Sequence, residues 1–470
     1  MKNKLLPFLL FLFPALALAA GTATEKLDLT GHWVGFAAIG IFLVAYALVI
    51  AEEFTHMRKS KPVMLAAGII WLLIAWVYKD TELANLPEHA VKHYLTEFAE
   101  LFMFLLAAMT YVNAMSERNI FEALRGWLLN RGWSYRKLFW MTGILSFFLS
   151  PLIDNLTTAL VMCAVVLAVG KGNAKFIALA CINIVVAANA GGAFSPFGDI
   201  TTLMVWQKGI VHFNDFFHLF IPSVVNFVVP ALLMTFAVPA MTPEPLKARV
   251  ELKQGAMVII GLFIVTVFLA VTFHNYFHLP PFLGMVTGMA LLKIFGYFLK
   301  QKEYRMLRRA QKAGTMGDIT PFDSFKFVAR AEWDTLLFFF GVIMCVGALG
   351  FIGYLHLLSQ YMYGELGPTT ANVLVGILSS VVDNIPVMVA VLEMKPHMDL
   401  TQWLLVTLTA GVGGSLLSIG SAAGVALMGQ ARGMYTFFSH LKWTWAIALG
   451  YALSIWVHLL INSGMDHPVR

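Results

Sequence analysis

Apolar runs of bilayer-crossing length recur along almost the whole chain, and few folds can accommodate them. A helix that crosses the hydrocarbon core needs about 20 mostly apolar residues. Such segments read near 32–51, 62–78, 94–115, 175–209, 216–240, 255–275, 281–299, 332–352, 400–430 and 443–463. Hydrocarbon offers no water to unpaired backbone groups, so runs this long must be helices that satisfy their own N–H and C=O. The expected fold is therefore an all-α polytopic membrane protein. Only 12% of the 470 residues are charged, about half the usual share of a soluble domain. The net charge of +6 does not indicate nucleic acid, because the basic residues sit in short loops between apolar runs. Cys163, Cys181 and Cys345 lie inside apolar stretches with no CxxC or Cys/His cluster, so neither zinc nor another cofactor is expected.

Residues 1–20 have Lys2 and Lys4, an apolar run over 5–18 and a small-residue end at Ala17-Leu18-Ala19. That is the layout of a secretory signal peptide, which places the mature N-terminus outside. Six loops (55–61, 117–137, 171–175, 241–254, 300–330 and 431–442) then face the cytoplasm and hold 23 Lys and Arg, against 6 in the external segments. This asymmetry is the expected one, provided that two shorter segments turn back within the membrane.

Those two segments carry the unusual chemistry. Ser150-Pro151-Leu152-Ile153-Asp154-Asn155-Leu156-Thr157-Thr158 is a polar knot between two uncharged runs, and Ser379-Ser380-Val381-Val382-Asp383-Asn384-Ile385-Pro386-Val387 repeats the pattern. An ionised carboxylate at membrane depth costs roughly 2.5 to 3.5 kcal/mol on insertion scales. The flanking runs are about 12 to 16 residues long, too short to cross, and read as arms of re-entrant hairpins with tips at the midplane. If the first segment crossed fully, Lys171 and Lys175 would be stranded outside.

Three landmarks recur in one order. The segment from Glu97 to Phe104, which includes Glu100, resembles that from Glu332 to Phe339, which includes Asp334, at an offset of 235. The Asp-Asn pairs follow at 229, and Gly191-Gly192-Ala193-Phe194-Ser195-Pro196-Phe197-Gly198 matches Gly413-Gly414-Ser415-Leu416-Leu417-Ser418-Ile419-Gly420 at 222. The halves are 32–254 and 255–470, with a cytoplasmic linker over 300–330 inside the second. Each has five spans, one of them broken, and a hairpin. An odd number of crossings inverts the second half, and inverted repeats with broken helices are transporter architecture.

Pro196 and the paired glycines interrupt the helix near 191–199, and Asp199 is placed to cap the helix that resumes. In the second copy the helix resumes near Ser421. Hairpin tips and breaks together offer Ser150, Asp154, Asn155, Thr157, Thr158, Asn189, Asp199, Thr201, Thr202, Ser379, Asp383, Asn384, Ser415, Ser418 and Ser421. These are hard oxygen ligands suited to a small hard cation, by the logic that assigns calcium and magnesium to oxygen sites. Neither tip contains Arg or Lys, so the electrostatics favour a cation over an anion. Burial penalises a bare carboxylate, so proton and metal ion compete for Asp154, Asp383 or both. Na+ is expected at Asp154, Asn155, Asp383 and Asn384, with Glu100 and Asp334 as candidate proton relays. Competing structural readings are a polar clamp between helices for the Asp-Asn pairs and close helix contact for the glycines. His274, His278 and His458 read as interfacial.

The two Asp-Asn segments, with 189–202 and 413–421, resemble the NhaD-type sodium/proton antiporters of the ion transporter superfamily over nearly the whole mature chain. The resemblance implies a bacterial inner-membrane exchanger of Na+ or Li+ for H+, a homodimer, and an elevator motion of the hairpin-bearing domain. Asp-Asn-x-Pro alone would also suit arsenite permeases. Related sodium-coupled dicarboxylate carriers have tips of Ser-Asn-Thr type, and here an Asp precedes each Asn. An intramembrane aspartyl protease built on Asp154 and Asp383 is a further alternative, but it lacks a Gly-x-Gly-Asp motif and leaves the matched breaks unexplained.

Overall fold

The computed structural model describes residues 26–170, 173–242, 250–312 and 322–465. The expected leader over residues 1–20 lies outside them. The described chain is helical with no strand, and nine of its helices are long and apolar enough to cross a membrane. The first eight main helices are α1 (Trp33–Ile50), α2 (Ser60–Tyr78), α3 (Leu86–Glu117), α4 (Tyr135–Ile153), α5 (Asn155–Val169), α6 (Ala174–Gly192), α7 (Ile200–Gln207) and α8 (Phe220–Thr235). Eight more follow: α9 (Ala256–Phe277), α10 (Pro281–Lys312), α11 (Trp333–Ile352), α12 (Pro368–Leu378), α13 (Asn384–Met394), α14 (Leu400–Gly413), α15 (Ala422–Gln430) and α16 (Thr444–Asn462).

Hydropathy locates most of these helices within a few residues, and the departures have local causes. Helix α3 starts eight residues before the apolar run, because Pro87 sits in its first turn, where a missing N–H is harmless. Helix α10 runs to Lys312, well into the stretch expected as linker. Helix α4 begins at Tyr135, capped by the Ser134 hydroxyl, and is longer than the 12 to 16 residues expected of a hairpin arm. His458 is buried, not interfacial, with Nε2 donating to the Thr401 carbonyl at 3.0 Å.

Helix contacts recur eight places along the order. Helix α1 packs on α2 as α9 packs on α10; α4 lies along α6 as α12 lies along α14; α6 meets α8 as α14 meets α16. Across the molecule, α2 packs on α11 and α10 on α3, while α5 meets α15 and α13 meets α7. The contacts sort the helices into two groups. Helices α4 to α8 and α12 to α16 pack largely among themselves, as do α1, α2, α3, α9, α10 and α11, and the two groups meet where α11 packs along α13. Within the second group, Tyr111 donates to the Gly288 carbonyl at 2.7 Å. Arg118 and Glu303, both buried, pair at 2.6 Å between the ends of α3 and α10.

Of the nine bilayer-length helices, α6 and α11 are the most buried. Apolar side chains such as Leu65, Leu72 and Trp76 on α2, and Ile264 and Phe268 on α9, are exposed. Outward-facing apolar bands of this kind suit a lipid solvent, where burial is not needed to shelter them.

Candidate functional site

Both expected breaks are present. Helix α6 stops at Gly192 and α7 starts after the Asp199 cap, whose carboxylate accepts from the Thr201 N–H at 3.0 Å. In the second half α14 stops at Gly413 and Ser421 caps α15 through the Gly424 N–H at 3.3 Å. The glycines explain how these loops fold so tightly. A Cβ on Gly192 would lie 2.8 Å from the Gly198 carbonyl oxygen, and one on Gly414 would lie 2.8 Å from that of Gly420. Only a residue without a side chain lets the loop return this close to the end of its helix.

The hairpin tips lie against these breaks. Between α4 and α5, Asp154 takes φ +75° and ψ 158°, a region nearly restricted to glycine that costs about 1 to 3 kcal/mol. Its carboxylate offsets part of that strain by capping α5, accepting from the Thr157 N–H at 2.8 Å and the Thr157 hydroxyl at 2.9 Å. The turn aims the next side chain inward. Asn155 Nδ2 donates to Asp199 Oδ2 at 2.9 Å and to Asn189 Oδ1 at 3.2 Å. From the other half, Asn384 Nδ2 donates to the two Asp199 oxygens at 3.0 and 3.2 Å. Asn189 Nδ2 continues the chain to Ser415 Oγ at 2.8 Å.

Asp199 is thus the centre of the polar cluster. It is buried, it receives donors from both hairpins and from its own helix, and none of these donors carries a charge. Thr202 stabilises the break, donating to the carbonyls of Ser195 and Asp199 at 2.8 and 2.7 Å. The hydroxyls of Ser150, Thr158 and Ser418 are buried without a hydrogen-bond partner among the described residues. Ser379 donates to the Ala410 carbonyl at 2.7 Å, which ties α12 to α14.

Three other expected carboxylates lie outside this hydrogen-bonded cluster. Asp334 accepts from the Ser60 hydroxyl at the start of α2. Glu100 is half-buried on α3. Asp383 does not cap α13; its Oδ2 lies 3.4 Å from Lys59 Nζ, and its Oδ1 is buried without a partner. Close by, burial pushes the Glu52 carboxyl above its ordinary range, against the pull of the Lys59 ammonium.

Several polar contacts were not legible in the sequence. His440 is buried, with Nε2 donating to the Ser415 carbonyl and Nδ1 facing the Tyr435 hydroxyl, each at 2.8 Å. Lys208 at the end of α7 pairs with Glu97 of α3, and Tyr94 of α3 donates to Glu393 of α13. These last contacts join the two helix groups. Lys59 had a signal of a kind, a basic residue in a short loop, but that signal speaks only to orientation.

A family model described as "Citrate transporter" matches residues 24–413. The Na(+)/H(+) antiporter NhaD of Alkalimonas amylolytica is 56% identical over 98% of this chain and 96% of its own length. The protein of the same name from Vibrio cholerae serotype O1 is 56% identical over 98% and 99% of the two chains. Sodium/proton antiporter 1 of Arabidopsis thaliana is 29% identical over 96% of this chain and 77% of its own. At this identity and coverage, the chain belongs to the NhaD family of Na+/H+ antiporters, multi-pass membrane transporters and not enzymes.

Proposed function

We propose that the chain exchanges Na+, and also Li+, for H+ across the bacterial inner membrane by alternating access. The observation that carries this reading is the convergence on Asp199 of Asn155 and Asn384, one from each hairpin. A carboxylate buried among neutral donors has no counter-charge of its own, so its charge must be met by a proton or a monovalent cation. The two exclude each other, and that exclusion is the chemistry of antiport. The identity of the ions comes from relatives named Na(+)/H(+) antiporter.

The coordination chemistry supports the same reading. Asp154, Asn155, Asp383 and Asn384 supply carboxylate and amide oxygen for Na+, with Asn189, Asp199, Thr201 and Thr202 beside them. The unpartnered hydroxyls of Ser150, Thr158 and Ser418 add hard ligands. Ser379 and Ser421 hold the surrounding backbone, Ser415 holds the Asn189 amide, and Glu100 and Asp334 remain candidate relays. An anion such as citrate would face Asp154, Asp199 and Asp383 with Lys59 as the nearest cation, which disfavours it. The recurring contacts eight helices apart support halves 32–254 and 255–470 as an inverted repeat with re-entrant hairpins. The two helix groups support an elevator motion, and a homodimer completes the reading.

Everted vesicles carrying an imposed pH gradient test it. Na+ or Li+ is expected to collapse the gradient, whereas citrate or arsenite without Na+ leaves it intact. Asp154→Asn and Asp383→Asn are each expected to abolish the collapse while the protein still inserts; normal exchange in both would overturn the carboxylate assignment.

A further inference from the structure

The two hairpin tips differ in how their carboxylates are satisfied. Asp154 uses the N–H and hydroxyl of Thr157. Three residues after Asp383 the chain has Pro386, which offers neither an N–H nor a hydroxyl. The second tip therefore lacks the partner that Asp154 uses, and its carboxylate makes no capping bond to its own helix. What fills the gap is Lys59, from the loop before α2 and the other helix group.

The Lys59–Asp383 contact is a loose one. At 3.4 Å it is longer than the roughly 2.7 to 2.9 Å of a strong charge-assisted bond. Both side chains are mostly buried, at 17% and 16% exposure, so little water competes for the pair. In the same position the ammonium lies 4.4 Å from the centre of the buried Phe338 ring on α11, whose face attracts a cation and shares the hold on Lys59 with Asp383. Asp383 keeps Oδ1 buried and free, while its neighbour Asn384 is bound to Asp199.

We propose that the Lys59 ammonium is a tethered stand-in for the transported cation at Asp383. Na+ arriving at Asp383 displaces Lys59 one charge for one, and the return of Lys59 drives Na+ off. The empty carrier thus never exposes an uncompensated carboxylate at this tip. The residue is a positioning residue for the exchange, and the inference rests on the exchange reading above.

The test uses the full chain in proteoliposomes, comparing wild type, Lys59→Gln and Lys59→Arg for Na+-driven proton flux. Lys59→Gln is expected to lower the half-saturating Na+ concentration at least about 3-fold and to reduce the maximal rate, since release slows. Lys59→Arg, which keeps the charge, is expected to stay near wild type. Equal kinetics in Lys59→Gln and wild type, or equal shifts in the two variants, would overturn the proposal. A second measurement does not depend on those variants. Amine-reactive labelling of Lys59 in the purified wild-type protein is expected to rise several-fold in NaCl over choline chloride at equal ionic strength. The rise is expected to vanish in Asp383→Asn, and Na+-independent labelling of the wild type would also overturn the proposal. A wild type without Na+-driven flux defeats the exchange reading itself, whereas Na+-dependent labelling bears on displacement alone.

Discussion

The two hairpin tips share a sequence pattern and part ways in chemistry. Asn155 and Asn384 both reach Asp199, so the amides use the repeat symmetrically. The carboxylates do not. Asp154 is spent on capping its own helix in a strained turn at φ +75°, whereas Asp383 sits at φ −46°, caps nothing and meets Lys59. The breaks differ in the same sense, since the counterpart of the Asp199 cap is Ser421, which carries no charge. The two tips thus match in their amides and differ in how their carboxylates are held, so the charge of the cluster is placed unevenly between them. One buried carboxylate fed from both sides is easier to neutralise with a single ion than two equivalent ones would be.

The largest effect is expected where the two tips meet. Asp199→Asn removes the charge that both asparagines serve, and two charge-assisted hydrogen bonds at about 1.5 to 3 kcal/mol each imply a loss of exchange of at least about 100-fold. Vesicle assays of gradient collapse check this, and near-normal exchange would break the picture of a shared centre. Next in size, Asn155→Ala and Asn384→Ala each remove one such bond, so matching losses of about 10-fold or more are expected. Sharply unequal losses would show that the symmetric part of the comparison is also lost in function. The smallest effect belongs to the asymmetric part. Thr157→Val deletes the hydroxyl that caps with Asp154, and thermal unfolding in detergent should register a cost of about 1 kcal/mol.

Much of this was legible in the sequence. Spans were, because bilayer thickness imposes a length that uncharged runs must meet, and Ile50 and Ile352 end their helices where hydropathy places them. The breaks were legible because Gly191-Gly192, Pro196 and the Asp199 cap act locally. The extension of α10 to Lys312 was hidden, since it lies in charged sequence where hydropathy says nothing. The convergence on Asp199 was hidden for another reason: Asn384 lies 185 residues away, and no spacing rule spans that distance. Lys59 was harder still, being 324 residues from Asp383 and looking like any basic loop residue.

The buried Arg118–Glu303 pair has a consequence for how the protein is made. Arg118 leaves the ribosome 185 residues before its partner, which at roughly 5 to 20 residues per second is a wait of about 10 to 40 s. A cation cannot be sealed into an apolar core alone, since breaking such a pair costs about 3 to 5 kcal/mol. The foot of α3 must stay wet until α10 has been synthesised, so assembly runs against chain order: the early helix is held open, and a late one closes it.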